Sequence, residues 1–173
     1  MNLTICPAVE ADIPGIVSLR VAVAERLTRE YGRGHWSSAV TEQAVARGLR
    51  SSLVLACWNG SSIVATATLA TRKPWAIDEA YFSVAHQPVY LHDMAVEPFL
   101  QRQGVGRRLL EEAKAVARAS PADGLRLDAY DSPAGAGGFY AKCGFREVGR
   151  VSYRSVPLIY YEFLLGDRPG GTG

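Results

Sequence analysis

Apolar residues change their period several times along the chain. Residues 2–6 (N-L-T-I-C) make a short run of strand length. After Asp12, Ile13, Ile16, Val17, Val21, Ala24 and Leu27 recur at helical spacing. This predicts a helix to about Leu27, with Asp12 as its cap and Pro14 in the first turn. The next stretch, T-R-E-Y-G-R-G-H-W-S-S, has two glycines and three ring residues and reads as a loop. Thr41 or Ser38 caps a second helix reaching about Leu49. An apolar run at 53–58, the turn N-G-S and a β-branched run at 62–70 form a hairpin pattern. Residues 71–88 have no clean period and read as an excursion.

The second half alternates strands with helices. Residues 90–96 make a strand closed by Pro98, and Val105, Leu109, Ala113, Val116 and Ala117 fall on one face of a helix over about 104–119. A strand follows at 125–130. Ser132-Pro133 opens a further helix, kept short by Gly135, Gly137 and Gly138 at ~1 kcal/mol each relative to alanine. Cys143-Gly144 ends it, and strands at 145–150 and 157–165 close the pattern. The expected class is α/β (α+β mixed), as one domain over residues 1–166, with a frayed tail at 167–173.

Composition narrows the classes of function. The 173 residues are 48% hydrophobic and 21% charged, a globular balance with room for one full core. A net charge of +2 leaves no broad footprint for nucleic acid. Cys6, Cys57 and Cys143 are odd in number and widely spaced, which argues against a disulfide framework or a metal site. No signal peptide pattern and no window of ~20 apolar residues is present, so a cytoplasmic protein without a membrane span is expected.

The chemistry gathers around Q101-R-Q-G-V-G-R-R, the turn that opens the third helix. Gly104 and Gly106 let a ligand approach the backbone, and the unpaired N–H groups of a helix's first turn suit a phosphate. A nicotinamide dinucleotide is excluded by the two-glycine pattern and the four-residue link after the strand. A triphosphate loop is excluded because Arg107, not lysine, follows Gly106.

Gln101, Gly104 and Gly106 match the Q/R-x-x-G-x-G/A turn of the GNAT N-acetyltransferase superfamily. Downstream, Phe139, Tyr140, Lys142, Gly144 and Phe145 resemble its second motif, F/L-Y-x-K-x-G-F. The resemblance covers about 89–147. It implies a GNAT-like fold: a mixed, mostly antiparallel sheet of about seven strands with helices on both faces. It also implies acetyl-CoA as cosubstrate and transfer to an amine. In that family the strand before the turn pairs with the pantetheine arm, which falls here on Met94, Ala95 and Val96. The pyrophosphate falls on the turn, with Gln101, Arg102, Gln103, Gly104, Val105, Gly106, Arg107 and Arg108. Tyr140 matches the family's general acid. Many members carry an asparagine where this chain has Pro133, leaving Asp131 or Ser132 as its substitute.

The attacking amine must be neutral, which calls for a proton acceptor. By two-residue alternation Tyr90, His92, Met94 and Val96 share one strand face and Asp93 takes the other. Histidine titrates nearest neutral pH of the ordinary side chains, which makes His92 the candidate base. The strand Y-L-H-D-M-A-V also resembles the histidine-bearing strand of arylalkylamine acetyltransferases. Glu79 is a second candidate from the excursion. Tyr31, Trp36, Trp75 and Tyr90 are candidates for binding an apolar or aromatic amine. The expected partner is a small-molecule amine, with the protein acting as a monomer or homodimer. A peptide or protein acceptor, and a CoA-binding sensor without turnover, remain open alternatives.

Overall fold

A computed structural model describes residues 1–166; the tail at 167–173, expected to fray, lies outside the described residues. Among the described residues seven strands form a mostly antiparallel sheet in which the strands, numbered along the chain, lie in the order 1-2-3-4-5-7-6. The chain falls into two compact units, and the single domain expected over 1–166 spans both. One unit holds Met1–Ala70 and Leu91–Ala113, the other Thr71–Tyr90 and the chain from Lys114 onward.

In the first unit β1 (Leu3–Pro7) runs antiparallel to β2 (Leu53–Asn59), with Ile5 opposite Cys57. β2 turns back into β3 (Ser62–Ala70) through the expected hairpin, Asn59 facing Ser62. Helix α1 (Ile13–Tyr31) buries Ile13, Ile16 and Leu19 in a core shared with Val45, Val54, Ala56, Ile63 and Ala95. Burying each large aliphatic side chain contributes roughly 1.5–3 kcal/mol. Helix α2 (Glu42–Ser51) starts at Thr41, whose Oγ1 accepts the Ala44 N–H at 3.2 Å.

Two local expectations change here. The Asp12 carboxylate makes no cap bond into α1 but accepts the Val9 N–H at 2.8 Å, stabilising the turn that precedes the helix. Helix α1 also runs past Leu27 to Tyr31. Its last turn buries no apolar side chain and is held instead by Arg26 donating to the Pro98 carbonyl at 2.7 Å, and by Thr28 Oγ1, 2.7 Å from Ser37 Oγ.

Strand β4 (Pro88–Val96) is divided between the units. Just after it the Glu97 N–H donates to the Val64 carbonyl at 2.8 Å. Helix α3 (Val105–Ala119) buries Val105, Leu109, Leu110 and Ala113.

In the second unit Pro88–Tyr90 of β4 run parallel to Gly124–Arg126 of β5 (Gly124–Tyr130). β5 pairs antiparallel with β7 (Val156–Leu164), which pairs antiparallel with β6 (Arg146–Tyr153). Helix α4 (Gly137–Lys142) has only six residues and begins beyond the Ser132-Pro133 start expected for it. A second core joins Ile77, Phe82, Tyr90 and Tyr160.

The excursion at 71–88 carries no period because polar bonds hold most of it. Tyr160 donates its hydroxyl to the Ala76 carbonyl and accepts the Asp78 N–H at 3.1 Å. The Glu162 carboxylate accepts from the Ser83 N–H at 2.9 Å and the Ser83 hydroxyl at 2.8 Å, and is paired with Arg146. Burial pushes the Glu162 carboxyl up, but Arg146 and the Ser83 bonds outweigh it and hold it below the usual carboxylate range. Arg126 donates to the Ser83 carbonyl at 2.8 Å.

The turn from β6 to β7 has two residues, Arg154 (φ 48°) and Ser155 (φ 67°), both left-handed. Such a turn matches the twist of the strands but favours asparagine and glycine. Each L-residue there costs about 1–2 kcal/mol. The pair Arg154→Asn and Ser155→Gly should therefore raise unfolding stability by about 1–2 kcal/mol. Urea denaturation gives the value, and an unchanged midpoint would remove strain from this turn.

Candidate active site

The predicted site residues divide between the two units. In the first, β4 leads through a short turn (Pro98–Leu100) to the glycine turn and α3. Ala95 is buried in the core, while Met94 and Val96 are half-buried. Two glutamines brace the link: Gln101 Nε2 donates to the Val96 carbonyl at 3.2 Å, and Gln103 Nε2 to the Phe99 carbonyl at 2.8 Å. Arg102 (φ 62°) and Gly104 (φ 86°) are both left-handed. A Cβ added at Gly104 would meet nothing within 4 Å, so the space beside this backbone is open.

Buried Val105 anchors the first turn of α3, and Gly106 follows it half-buried. The first N–H groups of a helix have no carbonyl four residues earlier to receive them. Arg102, Arg107 and Arg108 are exposed nearby in sequence. A helix start, open access at Gly104 and exposed arginines close in sequence fit an anionic pyrophosphate.

His92 is half-buried on β4, and Asp93 after it has φ 50°. A left-handed residue interrupts the alternation of a strand. The Asp93 carboxylate therefore meets its neighbour, with Oδ2 at 3.3 Å from His92 Nδ1 and 3.2 Å from an Arg20 terminal nitrogen. The other terminal nitrogen of Arg20 lies 3.5 Å from Thr68 Oγ1. The hydrogen bond from His92 holds the Asp93 carboxyl below its ordinary range; burial opposes this and the Arg20 charge assists it. Period-two reading put Asp93 on the opposite face and gave Arg20 no part. The available signal was an aspartate inside an apolar strand, since aspartate is among the few side chains enriched in left-handed backbone.

In the second unit Tyr140 lies in α4 at 7% exposure, its ring packed near those of Phe139, Phe145 and Tyr161. A Cβ at Gly137 would sit 2.7 Å from the Tyr161 hydroxyl, so the glycine lets the helix pack against β7. Burial raises the Tyr140 phenol well above its ordinary value, with the Asp128 carboxylate and Cys143 adding to the rise. The phenol stays protonated throughout the neutral range. Asp131 is engaged by Arg150, whose terminal nitrogen lies 3.0 and 2.9 Å from its two oxygens.

The aromatic candidates differ in access. Tyr90 is 2% exposed and donates its hydroxyl to Glu79 at 2.7 Å; Arg126 approaches the same carboxylate oxygen at 2.9 Å. Trp75 is 83% exposed and borders an open groove of about 520 Å³, together with Asp78, Tyr81, Arg150, Tyr153 and Tyr160. In the first unit Tyr31 is exposed at the end of α1, and the Trp36 indole donates to the Gly32 carbonyl at 3.1 Å.

Comparison with known proteins gives a consistent picture. The family model described as Acetyltransferase (GNAT) family matches residues 21–145. The ribosomal-protein-S18-alanine N-acetyltransferase of Escherichia coli is similar with TM-score 0.72 at 20% identity, over 99% of this chain and 98% of that one. Aminoglycoside 6'-acetyltransferase type Ii is similar with TM-score 0.70 at 16% identity, over 96% and 99%. YncA of Salmonella typhimurium, solved with its cofactor acetyl-CoA, gives TM-score 0.67 at 19% identity, over 98% of both chains. No curated protein matches by sequence.

Replacing Gly104 with valine adds a β-branched side chain at φ 86° and fills the open approach. Gly104→Val should weaken CoA binding at least about tenfold, a loss of ~1.4 kcal/mol. Titration calorimetry with CoA measures this, and an unchanged Kd would exclude the turn from the binding site.

Proposed function

Because the chain belongs to the GNAT acetyltransferase family and uses acetyl-CoA, we propose that it moves the acetyl group directly to the primary amine of a small molecule. Acetyl-CoA supplies an activated acyl group as a thioester. In the transfer the amine nitrogen bonds to the acyl carbon, the carbon–sulfur bond breaks, and a thiolate leaves. The proton lost by the amine passes to His92, directly or through water. Met94 to Val96 hold the pantetheine arm, and the turn amides from Arg102 to Arg107, with the Arg108 side chain, hold the pyrophosphate.

Tyr140 donates a hydrogen bond to the departing sulfur. An ordinary tyrosine near ~10 facing a thiol near ~8.5 makes complete proton transfer uphill by roughly 2 kcal/mol. Burial of Tyr140 raises its pKa and widens that gap. Its contribution is therefore a donor fixed before reaction, of the kind worth about 10²–10³ in rate when removed.

The groove beside Trp75 carries the small-molecule reading. Its volume of about 520 Å³ lies within the usual range for small ligands, and Trp75, Tyr81, Tyr153 and Tyr160 border it beside polar Asp78, Arg150 and Ser152, which supports an amine with an aromatic and a polar part. A second reading, transfer to a peptide N-terminal amine, is supported by likeness to the E. coli ribosomal-protein enzyme over nearly the whole of both chains.

Thiol release from acetyl-CoA, followed with and without amine, tests the proposal. Tyr140→Phe should lower kcat about 100-fold while leaving the KM for acetyl-CoA nearly unchanged. His92→Ala should lower kcat and remove the acidic limb of the rate profile. An unchanged kcat in Tyr140→Phe would end its role as donor, and a retained acidic limb in His92→Ala would take His92 out of the base role.

A further inference from the structure

His92, Asp93 and Arg20 form a chain of contacts whose parts point in one chemical direction. A neutral imidazole has one N–H and one free lone pair, and the bond made by the first nitrogen decides where the proton sits. Nδ1 of His92 is 3.3 Å from a carboxylate oxygen that has only acceptors to offer. The favoured tautomer carries its proton on Nδ1, which leaves the Nε2 lone pair free. Arg20, from α1, holds the same carboxylate oxygen at 3.2 Å, so the acceptor is itself fixed. The left-handed backbone at Asp93 makes this possible, since an extended residue there would send its carboxylate to the other face of β4.

We propose that Asp93, held by Arg20, is a positioning residue that sets the tautomer and ring orientation of His92 so that Nε2 accepts the proton of the incoming amine. The proposal rests on the reading of His92 as the base. Asp93 touches neither substrate nor cosubstrate in this scheme and acts only through the imidazole. A carboxylate behind a metal-bound imidazole typically contributes about 10- to 100-fold, and an effect of the same order is expected here.

The direct test reads the ring itself. Long-range proton–nitrogen spectra of the ¹⁵N-labelled protein, at a pH where His92 is neutral, report which ring nitrogen carries hydrogen. The chain has three histidines, and a His92→Gln sample identifies the signals of this one. The wild-type ring should be protonated on Nδ1. Asp93→Gly, whose glycine suits the left-handed backbone, should lose that preference. It should also lower kcat about 10- to 100-fold with the KM for acetyl-CoA preserved. Asp93→Asn keeps an acceptor oxygen on the same backbone, and should hold the tautomer and recover most of kcat. A wild-type ring protonated on Nε2 overturns the proposal without any variant. So does an Asp93→Gly protein whose tautomer and kcat match wild type. If His92→Gln leaves kcat unchanged, the base reading fails on its own, while the tautomer still decides whether Asp93 orients the ring.

Discussion

The candidate base and the carboxylate beside it depend first on one backbone angle. Asp93 sits inside β4 with φ 50°, where most strand residues would clash with their own carbonyl groups. That turn of the chain lets Ala95 enter the core of the first unit while Asp93 reaches back to His92. Arg20 adds the opposite charge to the same carboxylate. Two contacts to the carboxylate thereby offset the unusual backbone, and half-buried His92 lies beside one of them. A few residues on, left-handed Arg102 and Gly104 shape the approach to α3. Both features use unusual backbone to present polar groups that a regular strand and helix would hide.

The electrostatic demands of the two candidate catalytic side chains are opposite. Tyr140 must keep its proton, and burial among aromatic rings does this by penalising the phenolate. In the proposed scheme His92 must offer a lone pair, and it lies half-buried with Nδ1 at 3.3 Å from the Asp93 carboxylate. The positive charges of the glycine turn stay at the surface as Arg102, Arg107 and Arg108, where they need no buried partner.

Much of the fold was legible because hydrophobic period and turn chemistry agree along most of the chain. The Asn59-Gly60 hairpin, the apolar face of α3 and the motif around Tyr140 are each readable from residues close together in sequence. What was not legible depends on partners distant in sequence. The last turn of α1 is held by Pro98, seventy-two residues away, and the 71–88 excursion by Tyr160, Glu162 and Arg126. Strands β6 and β7 extend to Tyr153 and from Val156 because Arg154 and Ser155 form a tight turn without its favoured residues. The Arg20–Asp93–His92 chain escaped for a related reason. Alternation assumes an extended backbone at each step, and Asp93 is not extended.

The most direct test of the central claim compares acceptors rather than variants. The purified protein, given acetyl-CoA, would be assayed for thiol release against aromatic amines, aliphatic amines, aminoglycosides and alanine-terminated peptides, with mass spectrometry locating the new acetyl group. N-acetylation of a small aromatic amine is expected, with kcat/KM at least about tenfold above that of any peptide, a discrimination of ~1.4 kcal/mol in the transition state. Preference for the peptides would contradict the small-molecule assignment, and tight CoA binding without amine-dependent thiol release would contradict turnover itself.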